Sequence, residues 1–324
     1  MFERLKQARG LARKARERHA MAGERGLMSE VPALPLAETN EVIAKAILDS
    51  DHAPFLVGRS GVTEARVMRA VFARLTGDYF VTGALQSIPA EMAQKAKFQS
   101  GIVGKRPHDY LVFATEYLSA ALSVDLYAHS EYVSDGGGIA QDLHQSGIPV
   151  TRIGNLEPLL ALREGCNPWP QALAGKRVLV VHPFQESVRM GYERRKTILG
   201  IRDILPEFGN LDVIAPPVTF LDTETERGWR THLFDLTSQI ASKEFDVAII
   251  GAGAYGLPAA AFVRDTGRVA IHLGGATQLL FGIRGKRWTH HKDVGPWIDS
   301  SWISPSEAER TPGHARFEGG NGYW

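Results

Sequence analysis

The stretch VAIIGAGAYGLPAAAFVRDTGRVAIHLGG, Val247 to Gly275, carries the reading of the fold. Val247 to Ile250 is continuously apolar, the pattern of a strand covered on both faces of a sheet. It runs into Gly251-x-Gly253-x-x-Gly256. A small-residue helical pattern follows, with Pro258 in its first turn and Gly267 as its stop, and then a second apolar run ends at His272. Strand, glycine turn, helix and strand make a βα unit of a parallel sheet. In such a unit the glycines let backbone N–H groups approach a ligand, and the helix N-terminus favours an anion. Three readings of the turn are open. It binds the pyrophosphate of NAD, it binds another phosphate-bearing ligand such as a nucleotide sugar, or it permits close packing of helix on strand. Against NAD, the ribose-binding acid expected about 20 residues on is replaced by His272, and the motif stands late in the chain.

Outward from this unit the same alternation continues. APFLVGRSG, VDLYAH, PVTRIG, RVLVVHPF and NLDVIAPP read as further strands. Helical patterns lie between them, in NEVIAKAILDS, TEARVMRAVFARL, PAEMAQKAKFQSG, DYLVFATEYLSAAL, GGGIAQDLHQSG, ESVRMGYERRKTIL and TERGWRTHLFDLTSQIASK. The expectation is a Rossmann-like α/β fold, a mostly parallel sheet with helices on both faces. The two-proline loop NPWPQALAGK would join two halves of this domain, residues 31–170 and 171–288. Residues 1–30 would form a basic leading helix. Residues 289–324 would form a tail whose tryptophans lie over the domain.

Composition narrows the function classes. The chain has 324 residues and a formal net charge of +1, which gives no general affinity for nucleic acid. Its single cysteine, Cys166, excludes an internal disulfide and argues for a reducing, cytoplasmic setting. No apolar run is long enough to span a bilayer. The basic start MFERLKQARGLARKARERHAM has two readings, peripheral contact with an anionic membrane surface or a solvated helix. Its apolar face is mostly alanine, which favours the second.

Four other stretches carry candidate chemistry. In GRSGVTEARVM, Arg59 would clamp a phosphate, Gly61 would loosen the turn, and Glu64 would be a general base or a metal ligand. In HPFQESVRMGYERRK, His182 follows a strand and would act on a hydroxyl near neutral pH, with Arg194 and Arg195 along the next helix. Glu157 follows the strand TRIG in the same way. In HLGGATQLLFGIRGKRW, Gly274 and Gly275 offer a second anion cradle, and Arg284, Lys286 and Arg287 would neutralise charge on a diphosphate. His290, His291 and Asp293 are too close in sequence for a zinc site built at helical spacing.

GKRVLVVHPF, the block from Phe245 to Trp288, FLVGRSGVTEARVM and the closing FEGGNGYW together resemble a family of bacterial proteins encoded in capsule and surface-polysaccharide clusters, similar to glycosyltransferases of the GT-D type. The resemblance spans Pro54 to Trp324. It implies a Rossmann-like fold, a nucleotide-sugar donor, a glycan acceptor and a divalent cation, Mn²⁺ or Mg²⁺. The family's Arg-x-Gly-Asp-x-Glu pattern falls on Arg59, Gly61 and Glu64, with Val62 in place of the Asp. The loss of that carboxylate puts the cation in doubt. The family's late glycine turn falls on Gly251, Gly253, Tyr255 and Gly256, and its following strand end on His272, Gly274 and Gly275, with His272 where the family often has Asp.

Overall fold

The computed structural model describes residues 31–75, 88–104, 106–129, 136–219 and 227–310. The leading basic segment and the closing FEGGNGYW lie outside them. In chain order the elements are α1 (Leu36–Leu48), β1 (Phe55–Arg59), α2 (Val62–Leu75), α3 (Ala90–Ser100), α4 (Pro107–Ala121), β2 (Leu126–His129), α5 (Gly136–Gln145), β3 (Val150–Arg152), α6 (Pro158–Arg163) and β4 (Arg177–Val181). Then come α7 (Gln185–Arg194), α8 (Ile201–Ile204), β5 (Asn210–Ile214), α9 (Trp229–Ala241), β6 (Val247–Ile250), α10 (Gly256–Asp265), β7 (Val269–His272) and α11 (Lys286–Thr289).

The seven strands form one parallel sheet in the order β3-β2-β1-β7-β6-β4-β5. Helices cover both faces, as a Rossmann-like α/β fold requires. The central strands read as unbroken apolar runs because successive residues enter two different cores. Leu179, Val181, Ala248 and Ile250 belong to the core that α2, α3, α4, α5, α9 and α10 cover. Val178, Val180, Val247 and Ile249 pack under α1, α6, α7 and α8. A strand with apolar residues at every position is stable only when both faces are dry.

The proline-bearing connection between β3 and β4 is packed structure. Trp169–Leu173 is a 3₁₀ turn, and its buried Trp169 donates its ring N–H to the Leu156 carbonyl at 3.0 Å. This segment carries the chain from one edge of the sheet to its other half. The segment that follows β7, Gly274–Phe281, is a 3₁₀ helix. The first part of the aromatic tail lies on the second core, where Val294, Trp302 and Ile303 are buried.

The topology prepares a crevice. β1, β7, β6 and β4 are neighbours in the middle of the sheet. The chain leaves β1 and β6 toward the first helix layer and leaves β7 and β4 toward the second. Connections that part to opposite faces open a gap at the carboxyl ends of the strands, the general ligand position of open α/β sheets. Among the described residues, no helix is long and apolar enough to cross a membrane.

Candidate functional site

Arg59, the last residue of β1, lies across the carboxyl end of β7. Its Nη1 donates to the Leu273 carbonyl at 3.1 Å. The guanidinium covers Gly274, where an added β-carbon would stand 3.3 Å from Arg59 Cζ. Gly274 also has φ of +61°, which a side chain would strain. The Nε of Arg59 is buried with no hydrogen-bond partner. In return, His272 Nδ1 lies 3.1 Å from the Arg59 carbonyl. A carbonyl only accepts, so Nδ1 carries the proton and Nε2 the lone pair. Burial, reinforced by the Arg59 charge, lowers the His272 pKa to about 3, so the ring is neutral.

The glycine turn after β6 meets this arrangement. A β-carbon on Gly251 would lie 2.7 Å from the Gly274 carbonyl oxygen, 2.7 Å from Thr277 Oγ1 and 3.0 Å from His182 Cδ2. One on Gly256 would overlap His272 Nε2 and lie 2.7 Å from His272 Cδ2. One on Gly253 would lie 3.1 Å from the Ser100 carbonyl oxygen. Each glycine therefore faces the protein itself, and close packing accounts for the spacing without a dinucleotide. Tyr255 is buried against Trp229, with ring centroids 5.5 Å apart. Its hydroxyl meets Thr219 Oγ1 at 3.1 Å. Tyr255 thus braces the turn from beneath.

On the β1 side, the turn into α2 is held by two buried tyrosines. Tyr127 on β2 donates its hydroxyl to Ser60 Oγ at 2.8 Å, and the Tyr117 hydroxyl on α4 accepts the Gly61 N–H at 3.3 Å. Glu64 is buried, and its carboxylate folds back over Gly61, so that a side chain at position 61 would displace it. The negative field of Glu64 adds to burial in pushing the Tyr117 pKa well up. Arg59, Gly61, Gly253 and Gly275 remain at least partly exposed above the buried layer. The Arg59–Glu64 turn and both glycine turns thus converge on one place.

His182 reaches the same floor but not in the form expected of a base. Its Nδ1 accepts the Phe184 N–H at 3.1 Å, which leaves the proton on Nε2. Burial lowers its pKa to about 3. The ring is a neutral donor near pH 7, not a proton acceptor.

Other expected residues stand apart. The 3₁₀ helix Gly274–Phe281 buries Leu279, Leu280 and Phe281 in the second core before the chain reaches Arg284. Arg284 and Lys286 instead line a separate cavity of about 330 Å³ with Thr289, Ile298, Asp299 and Ser304. Arg287 lies over the Trp288 ring, 5.1 Å from its centroid. Arg194 and Arg195 sit at the far end of α7, where Arg195 stacks on Tyr192 at 4.2 Å. Glu157 caps α6, accepting the Leu159 N–H at 3.4 Å beside the edge strand β3. Burial raises its pKa to about 7.

Among the described residues, no group of three or more His, Cys, Asp or Glu is arranged to hold a metal ion. From Arg59 to Glu64, across the turn into α2, Glu64 is the one carboxylate. The described residues therefore do not fit a metal held by the protein alone.

Sequence reasoning missed Ser60, Tyr117, Tyr127 and Thr277. Ser60 was adjacent to a candidate. The tyrosines and Thr277 gave no local signal, because they arrive from α4, β2 and the 3₁₀ helix after β7.

No family model matches the chain, and no curated protein or solved structure matches it.

Proposed function

We propose that the chain is a glycosyltransferase that takes its sugar from a nucleotide-diphosphate donor and passes it to a surface-glycan acceptor. The observation that carries this reading is Arg59. A buried guanidinium nitrogen without a partner costs about 1–3 kcal/mol, and the unpartnered Nε lies beside a turn of partly exposed glycine backbone. A diphosphate would satisfy both. The donor phosphates then belong on Arg59 and the partly exposed Gly275, since Gly251, Gly256 and Gly274 face the protein's own atoms. Glu64 supplies the carboxylate of the site, steadied by the turn that Tyr117 and Tyr127 hold. The neutral His182 Nε2–H serves as a hydrogen-bond donor at the floor.

The test is calorimetric titration with UDP-, GDP- and dTDP-sugars, with and without Mn²⁺, followed by donor-hydrolysis and transfer assays. One donor class is expected to bind, with Arg59→Ala weakening it by about tenfold or more, roughly 1.4 kcal/mol. Glu64→Gln should keep donor binding and lose turnover. Tight NADH binding with no response to any nucleotide sugar would replace this reading with an NAD(P)-dependent oxidoreductase. A second reading, a non-catalytic partner in glycan synthesis with the same fold, is favoured by Val62. It predicts donor binding with no hydrolysis or transfer under any condition.

A further inference from the structure

We infer that the cavity between α11 and the tail is a separate binding site for an anionic sugar unit, one bearing a carboxylate or a phosphate. Its walls are Arg284, Gly285, Lys286, Thr289, Ile298, Asp299 and Ser304, and its volume is about 330 Å³. That volume is at the lower end for small-molecule sites, suited to one monosaccharide rather than a dinucleotide.

Its polar groups are built and held. The backbone of Arg284 is pinned to the tail, its N–H donating to the Ile303 carbonyl at 2.9 Å. Its Nε donates to Ser304 Oγ at 2.9 Å. This bond fixes the plane of the guanidinium and leaves both Nη groups for a bidentate anion. Among the described residues, no carboxylate pairs with Arg284 or Lys286. The cavity carries two cations against one wall carboxylate, Asp299, so an anion bound on the Arg284 and Lys286 side meets a net positive surround.

The other walls suit a polyol. Asp299 accepts the Ser301 N–H at 2.8 Å, and the Ser301 hydroxyl with that amide holds its pKa below the usual carboxylate range. It stays charged near pH 7 and can accept sugar hydroxyls. Thr289 and Ser304 offer hydroxyls of their own, and Ile298 an apolar wall for the sugar's C–H face. The tail wall is itself anchored, because Glu309 accepts the Glu186 N–H at 2.6 Å at the start of α7.

The inference rests on the transferase reading only in taking the ligand to be part of the acceptor. Binding is measured by intrinsic tryptophan fluorescence and NMR titration with glucuronate, glucose 6-phosphate, glucose and inorganic phosphate. Oligosaccharides with and without uronate follow. Glucuronate or glucose 6-phosphate should bind at least tenfold more tightly than glucose, and the better of the two identifies the anion. Arg284→Gln and Lys286→Gln should each weaken that binding about tenfold, whereas Arg284→Lys should recover part of it. Equal binding of glucose and its anionic counterparts would overturn the inference, as would inorganic phosphate binding as tightly as the sugar acids, or full affinity in both glutamine variants. Nucleotide-sugar titration of the same variants separates the two claims. A chain that binds the sugar acid but no nucleotide sugar keeps this site and loses the transferase reading.

Discussion

Gly256→Ala tests whether the glycine fingerprint is spaced by packing or by a ligand. Gly256 opens α10 with φ of −62°, a conformation any residue adopts, so backbone strain plays no part. In an open helix the substitution would stabilise by up to about 1 kcal/mol. Here the new methyl overlaps His272 Nε2 and stands 2.7 Å from Cδ2. His272 is 3 % exposed and cannot turn away without losing its bond to the Arg59 carbonyl. That bond is worth about 1 kcal/mol, and overpacking a filled core costs about 1–3 kcal/mol. The net expectation is a loss of about 2 kcal/mol. For a chain of this size that lowers Tm by about 3 °C. Thermal and urea melts of Gly256→Ala, His272→Ala and the double variant measure it. The double variant should be more stable than the sum of the singles predicts, by at least about 1 kcal/mol, because removing the ring removes the clash. A Gly256→Ala protein as stable as the parent, or strict additivity in the cycle, would refute the packing account and return the turn to ligand binding.

Three further outcomes are expected. Glu309→Ala should free the tail from the start of α7, where its carboxylate meets the Glu186 and Ser187 amides. The cost, discounted for partial exposure, is about 1–2 kcal/mol, and hydrogen exchange should quicken at 184–188 and 303–309; unchanged exchange there would count against the anchor. Stability should fall on acidification. His182 and His272 titrate at about 3 when folded and near 6.5 when unfolded, so their contribution is complete above 6.5 and is lost as pH falls from there toward 3, at up to about 1.4 kcal/mol per unit each. Glu157 acts in the opposite sense: its pKa of about 7 makes its contribution fall as pH rises from 4.5, so Glu157→Gln should steepen the acid loss, and a flat profile in that variant would contradict both assignments. In any transfer assay, His182 should give no limb near pH 6.5, and His182→Gln, which keeps an N–H donor, should retain more activity than His182→Ala.

Most strands were legible because a short apolar run ends on or runs into a glycine, histidine or arginine, with β5 running instead into Ala215-Pro216, and in the middle of a parallel sheet the pattern is continuous rather than alternating. The glycine turn was legible as a turn but not by purpose. Gly251-x-Gly253-x-x-Gly256 is the same string whether a pyrophosphate or a histidine ring fills the space above it. His182 and His272 were visible as residues at strand ends. Their protonation was not, since it follows from the Phe184 amide and the Arg59 carbonyl that each ring happens to face. Arg284 and Lys286 looked close to the second glycine turn because they follow it by few residues; the structure places them in the wall of a cavity with Ile298, Asp299 and Ser304 of the tail.

Local hydrophobic periodicity and glycine punctuation specify the class of fold, seven strands and the helices between them, through interactions within a few residues. Which strand ends meet follows from the assembled sheet. Arg59 and Leu273 are 214 positions apart, and their contact depends on β7 returning to pair with β1. Strand order is a property of the whole chain's packing, so the Arg59 turn, the neutral histidines and the separate basic cavity could be read only once the sheet was assembled.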